Sequence, residues 1–267
     1  MVNVADEYFD LNKIMDSGQC FRIVPLEDGR VLTMSEGRIV VASQREDGSW
    51  DFDCSQKEFD SYWREYFDLD RDYEAWFKGI DSQDEYLKNA AEAGKGLRVV
   101  NQNPWETLVS FIISQRRSVP SITTCVGKLC RKFGEPIGNG EIVAWSFPGP
   151  ERLASLELED LGSCSMGYRD KYVLDAARKV VTGELDLEGL ANVGDQELLD
   201  ALMTVNGVGI KVANCTALYG YHRLGLFPVD VWIKRVLETH YPEGFPMENY
   251  PGYSGFLQLL MFYEARH

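Results

Sequence analysis

Two residues nineteen positions apart carry the most chemical promise in this chain. Lys211 follows the glycine pair Gly207-Val-Gly209, and Asp230 sits in Phe227-Pro228-Val-Asp230-Val-Trp-Ile-Lys-Arg. The glycines allow a tight turn between one helix that ends at Asn206-Gly207 and another with Lys211 in its first turn. Backbone N–H groups at such a helix start point outward, and glycines let a phosphate approach them closely. Paired helices around a Gly-Val-Gly turn therefore suit a clamp on a DNA backbone, indifferent to base sequence. Asp230 suits a helix N-cap, where its carboxylate is rigidly held and faces a favourable helix dipole. A fixed carboxylate beside an amine nucleophile is what glycosidic-bond cleavage requires, because the transition state at C1′ is cationic. The same residues also fit plainer roles, an exposed lysine at a helical joint and an aspartate that only caps. Gly-Val-Gly-Ile-Lys lacks the six-residue frame and preceding strand of a phosphate-binding loop.

Helices must carry this pair. The glycine turn predicts a helix-hairpin-helix at about residues 198–222. Upstream, Pro104-Trp-Glu opens a run containing Trp105, Leu108, Val109, Phe111 and Ile112, which predicts a buried helix with proline in its first turn. Gly134, Gly162 and Gly167 punctuate later segments, Tyr172 to Val181 keeps a helical rhythm, and Phe256 to Tyr263 is strongly apolar with Gln258 inside it. The first hundred residues read differently. Arg30-Val-Leu-Thr-Met and Gly37-Arg-Ile-Val-Val-Ala, short β-branched runs separated by Ser35-Glu-Gly, predict a hairpin. Trp50-Asp-Phe-Asp alternates aromatic and acid and predicts an exposed-edge strand. From Lys57 the period turns helical, with Phe59, Tyr62, Trp63 and Phe67 on one face. The expected fold class is α+β: residues 1–100 form a small antiparallel β-rich unit with flanking helices, and residues 101–267 a mainly helical body.

Composition sets the outer limits. Of 267 residues, 45% are hydrophobic and 26% charged, which excludes disorder as a description of the whole chain. No apolar run approaches the ~18 residues a membrane span needs. The start, MVNVADEYFDLNK, has neither a basic nor an apolar leader region, so a cytoplasmic location is expected. The net charge of -15 argues against a polyanionic partner, but the deficit is uneven. Thr107 to Gly134 holds Arg116, Arg117, Lys128, Arg131 and Lys132 with no acid, and Met203 to Arg235 holds Lys211, Arg223, Lys234 and Arg235 against Asp230 alone. The six cysteines, Cys20, Cys54, Cys125, Cys130, Cys164 and Cys215, lack the spacing of a zinc or iron-sulfur site, so no metal is expected.

Gly207-Val-Gly-Ile-Lys211-Val-Ala followed by Pro228-Val-Asp230 resembles the helix-hairpin-helix DNA glycosylases with a Gly/Pro…Asp element, and within them the 8-oxoguanine DNA glycosylase/AP lyases. The resemblance runs from about Phe9 to about Phe262. Ser17-Gly18-Gln19-Cys-Phe21-Arg22 resembles the signature whose glycine carbonyl accepts from the N7–H that distinguishes 8-oxoguanine from guanine. Gly167-Tyr168-Arg169 resembles the element that wedges into the duplex at the flipped base. Cys215 and Phe262 stand where the family sandwiches the base, Gln258 where it reads the Watson–Crick edge, and Pro228 beside the base.

What the resemblance implies is excision of 8-oxoguanine from duplex DNA by base flipping and attack of Lys211 on C1′, with Asp230 assisting, and β-elimination at the abasic site. The amine must be free to attack, against an ordinary lysine pKa of about 10.4. Gly207, Gly209, Arg116, Arg117, Tyr168, Arg169 and Trp232 are implied DNA contacts. No metal or organic cofactor is implied; the expected partner is double-stranded DNA containing 8-oxoguanine, bound by a monomer without a membrane. Its location would be the nucleoid in a prokaryote and the nucleus in a eukaryote. The chain also departs from the family. Arg116 and Ser121 replace an asparagine and an arginine of members that demand cytosine opposite the lesion, and Trp232 replaces a phosphate-contacting histidine. Two other readings stay open here: an alkylpurine glycosylase of the same fold, against which Lys211 speaks, and a non-catalytic DNA-binding module.

Overall fold

In the computed structural model, which describes residues 1–138 and 140–267, the short alternating stretches near the N-terminus pair into a five-stranded antiparallel sheet. Its strands are β1 (Val2–Val4), β2 (Ile23–Pro25), β3 (Val31–Ser35), β4 (Arg38–Gln44) and β5 (Trp50–Phe52), in the order β1-β5-β4-β3-β2. The β3–β4 hairpin is where the sequence predicts it. Ser35 pairs with Arg38, and Glu36 and Gly37 take φ of 47° and 74°, a turn whose twist matches that of the strands. The edge assignment of Trp50-Asp-Phe is corrected: β5 lies between β1 and β4, and β1 takes the edge. Trp50 and Phe52 are 1% and 0% exposed, and Phe52 packs on Phe9, Phe59 and Phe67. Two large aromatics two residues apart point to one face, and their buried area draws the strand inward.

Helical segments α1 (Leu11–Asp16), α2 (Gln56–Glu58), α3 (Arg64–Tyr66), α4 (Tyr73–Lys78) and α5 (Glu85–Ala93) complete this part, α2 and α3 joined by a π turn at Phe59–Trp63. A second ribbon, β6 (Pro136–Gly138) with β7 (Val143–Trp145), lies in the half read as helical. It covers the outer face of the large sheet, where Leu32, Val41 and Ala144 cluster. Three-residue strands are too short for periodicity to reveal.

The body consists of α6 (Pro104–Ser114), α7 (Val119–Phe133), α8 (Pro150–Ala154), α9 (Leu158–Leu161), α10 (Asp170–Thr182), α11 (Asp195–Met203), α12 (Ile210–Gly220), α13 (Val231–His240) and α14 (Ser254–Arg266). Asn103 caps α6 by accepting from the N–H groups of Trp105 and Glu106, with Pro104 at the first helical position. That helix is buried along nearly its whole length and packs against α12, while α14 lies between α5 and α13. One continuous apolar core runs from the inner face of the sheet through these helices. Arg98, 2% exposed, ties the sheet part together by donating to the carbonyls of Tyr8, Asp68 and Arg71 and pairing with Asp6. Among the described residues no helix is long and apolar enough to cross a membrane.

Candidate active site

The turn between α11 and α12 is fixed from three sides. The N–H and side-chain nitrogen of Asn206 donate to the two oxygens of Asp175 on α10, each at 2.8 Å. Gln115, just past α6, donates to the Gly207 carbonyl at 3.1 Å. Gly207 takes φ 78°, and a Cβ there would run into the Tyr172 ring. Gly209 differs: its φ is -100° and a Cβ would meet nothing within 4 Å. Gly207→Ala should therefore lose more than about 1 kcal/mol of stability in a denaturant titration. Gly209→Ala should stay within about 0.5 kcal/mol of the parent. The smallness of Gly207 serves the fold, whereas Gly209 leaves open space above the start of α12.

Lys211 points from the first turn of α12 into a cavity of about 790 Å³. Its ammonium lies 5.1 Å from the centroid of the Phe111 ring, which in turn stacks on Tyr219 at 5.5 Å and meets Phe21 edge-on. One turn further, Cys215 is buried in the same wall. Burial pushes its thiol pKa up; the Lys211 ammonium beside it pulls the other way, and the Asp230 carboxylate adds to the rise. The Tyr219 hydroxyl is likewise raised by burial, with Cys215 and Asp230 adding to it. Amine, thiol and carboxylate thus share one small space. Asp230 is the N-cap of α13, and a single oxygen, Oδ1, accepts from the N–H groups of Trp232 and Ile233 at 2.9 Å each.

The opposite wall is built by α14 and the turn after α1. Gln258 is 4% exposed, and its side-chain oxygen has no hydrogen-bond partner among the described residues. A buried acceptor without a donor costs about 1–3 kcal/mol, so the protein holds it at a price that a bound donor would remove. Phe262, four residues on, shares its helix face. Gly18 takes φ 77°, where a Cβ would press on Val119 and Phe262 at 3.1 and 3.2 Å. The Gly18 turn is anchored by Gln19, whose amide nitrogen donates to Ser17 Oγ at 3.0 Å and the Arg98 carbonyl at 2.8 Å. Its amide oxygen accepts from Val100 N–H at 2.9 Å.

Of the fourteen site residues expected from sequence, twelve line this cavity: Gly18, Arg116, Arg117, Gly207, Gly209, Lys211, Cys215, Pro228, Asp230, Trp232, Gln258 and Phe262. Tyr168 and Arg169 stand apart. Tyr168 is 48% exposed on a 3-10 turn. Arg169 is buried, its guanidinium 4.3 Å from the Tyr168 ring centroid and donating to the carbonyls of Met166 and Gln115. Its guanidinium thus buttresses Tyr168 from within. Arg117 is similarly engaged with Ser121, Cys125 and the Ser165 carbonyl, whereas Arg116 is exposed at the rim with φ 52°. Sequence reasoning missed Phe111, Gln115, Tyr172 and Asp175 as supports, since nothing local separates them from ordinary core and surface residues. Gln19 was within reach, because it lies inside the quoted Gly18 signature.

Comparison with known proteins agrees with this geometry. Residues 1–108 match the N-terminal domain of 8-oxoguanine DNA glycosylase, and residues 109–244 match the HhH-GPD superfamily of base excision DNA repair proteins. The chain is 35% identical over 204 residues to the N-glycosylase/DNA lyase of Saccharomyces cerevisiae, covering 71% of this chain and 54% of that protein. It thus spans about half the length of that relative. The fold superposes on MBOgg1 in complex with a low-affinity DNA ligand at a TM-score of 0.91, with 38% identity over 97% of this chain and 93% of that one. The Clostridium acetobutylicum 8-oxoguanine glycosylase/lyase, bound to double-stranded DNA with cytosine opposite 8-oxoG, gives a TM-score of 0.90, with 32% identity over 97% and 92% of the two chains. With both halves matched and the hairpin lysine and the capping aspartate lining one cavity, the chain belongs to the 8-oxoguanine DNA glycosylase family of the HhH-GPD superfamily.

Proposed function

We propose that this protein excises 8-oxoguanine from double-stranded DNA and then cleaves the strand at the abasic sugar, with Lys211 as nucleophile. The observation that carries the reading is the sharing of one cavity by Lys211, Cys215, Asp230 and the unpartnered Gln258 oxygen. A base inside the duplex stack is out of reach, so the lesion is extruded at a cost of a few kcal/mol. The N–H groups of Gly207 and Gly209 hold the backbone, Arg116 and Trp232 meet the strand at the rim, and Tyr168, buttressed by Arg169, fills the vacated space.

In the pocket, Phe262 and Cys215 sandwich the purine beside Pro228. The Gln258 oxygen accepts from the N–H groups of the guanine edge, and the Gly18 carbonyl accepts the N7 proton. Normal guanine has a lone pair at N7, which would face that carbonyl; the difference is worth roughly 1–3 kcal/mol. The free amine of Lys211 attacks C1′ as the base leaves, and Asp230 stabilises the positive charge developing on the sugar. The C1′–O4′ bond of the resulting aminal then opens, with O4′ taking up a proton, and the iminium so formed acidifies the 2′ proton, so that β-elimination expels the 3′ phosphate and breaks the strand there. The working unit in this reading is a monomer, acting at the nucleoid or in the nucleus.

Duplexes with 8-oxoguanine opposite each of the four bases test this directly. Base release, strand scission and a borohydride-trapped covalent complex are expected with at least one opposite base. Release of 3-methyladenine without any trapped complex would overturn the reading in favour of an alkylpurine glycosylase.

A further inference from the structure

The wall of the base pocket opposite Lys211 joins two stretches distant in sequence, the turn after α1 and the C-terminal half of α14, which touch at Gly18 and Phe262. Arg266, in the last turn of α14, has no part in the chemistry above, yet it lines the cavity with its side chain only 17% exposed. Its guanidinium lies 5.4 Å from the centroid of the Phe262 ring. From there Nη1 donates to the Asp16 carbonyl at 2.7 Å, and Nη2 stands 3.5 Å from the Asp16 carboxylate. Nη1 is also 3.5 Å from where a Cβ on Gly18 would lie. The other Asp16 oxygen is engaged by the His267 imidazole at 2.6 Å, and that ring also contacts the Tyr263 carbonyl. One planar group therefore touches both the ring that closes the pocket and the turn that presents the Gly18 carbonyl.

We propose that Arg266, held by Asp16, is a positioning residue that sets the gap between Phe262 and the Gly18 carbonyl, and with it the selectivity for a purine protonated at N7. This inference rests on reading the cavity as a base pocket. Gly18 has no side chain with which to hold its own place, so neighbours determine where its carbonyl points. A guanidinium can lie flat on an aromatic face while its N–H fork grips a second element, which an ammonium cannot reproduce. Recognition through a single hydrogen bond is sensitive to placement, and a shift of about 1 Å can cost about 100-fold in rate.

The test compares single-turnover release of 8-oxoguanine with cleavage at a preformed abasic site, which places no base in the pocket. Arg266→Ala should lower base release about tenfold or more relative to abasic-site cleavage. Arg266→Lys should restore only part of it. Asp16→Ala combined with Arg266→Ala should lose no more than the worse single variant, as expected for two residues acting through one contact. Unchanged base release in Arg266→Ala overturns the proposal, as does a parallel loss of both activities with a lowered melting temperature. Failure of the parent protein to release 8-oxoguanine at all would instead overturn the pocket reading itself.

Discussion

Lys211→Gln is expected to form no borohydride-trapped complex with an 8-oxoguanine duplex, and to release base more slowly by a factor on the order of 10³ or greater. Glutamine occupies a similar volume but has no nucleophilic amine, so the bond to C1′ cannot form. Lesion binding should persist, because the groups assigned to it lie elsewhere: the hairpin N–H groups, the Gln258 oxygen and the Phe262 ring. Stability should change little. The ammonium sits over Phe111 at a partly exposed position, where such a contact contributes about 0.5–1 kcal/mol. An adduct that survives in this variant means that another amine is the nucleophile.

Asp230→Asn should slow base release by about 10²-fold or more while leaving the fold intact. The reason lies in which oxygen does what. Both capping bonds, from Trp232 and Ile233, fall on Oδ1. Asparagine keeps an oxygen there and caps about as well as aspartate, so the start of α13 is retained. Only the negative charge facing C1′ is lost, and a neutral amide stabilises an oxocarbenium ion poorly. A melting temperature equal to the parent's, with slowed release, is the expected pair of results. Parent-like release would show that the carboxylate does no more than cap.

The parts legible in the sequence are those with local physical signatures. Paired glycines announce the hairpin, Pro-Val-Asp a capped helix start, and a lone glutamine in Phe256 to Tyr263 an unusual position on an apolar helix. The β3–β4 hairpin is legible for the same reason, because its turn chemistry is contained in four residues. What remained hidden depends on tertiary partners. Arg169 reads as a surface cation until the carbonyls of Met166 and Gln115 take it inward. Phe111 reads as core, and its second role under the Lys211 ammonium appears only when α6 and α12 pack together. The strand order was hidden too, since β1 is three residues long and its pairing with β5 bridges most of the sheet sequence.

The pocket surfaces at Gly18 and Phe262 meet only when segments far apart in the sequence have been brought together. Closing such long loops is entropically slow, and no partly folded fragment lying between them can contain both surfaces. The amine therefore has no base-binding chamber around it while the chain is incompletely folded. On the proposed mechanism, release of a damaged base becomes available only once both surfaces are assembled.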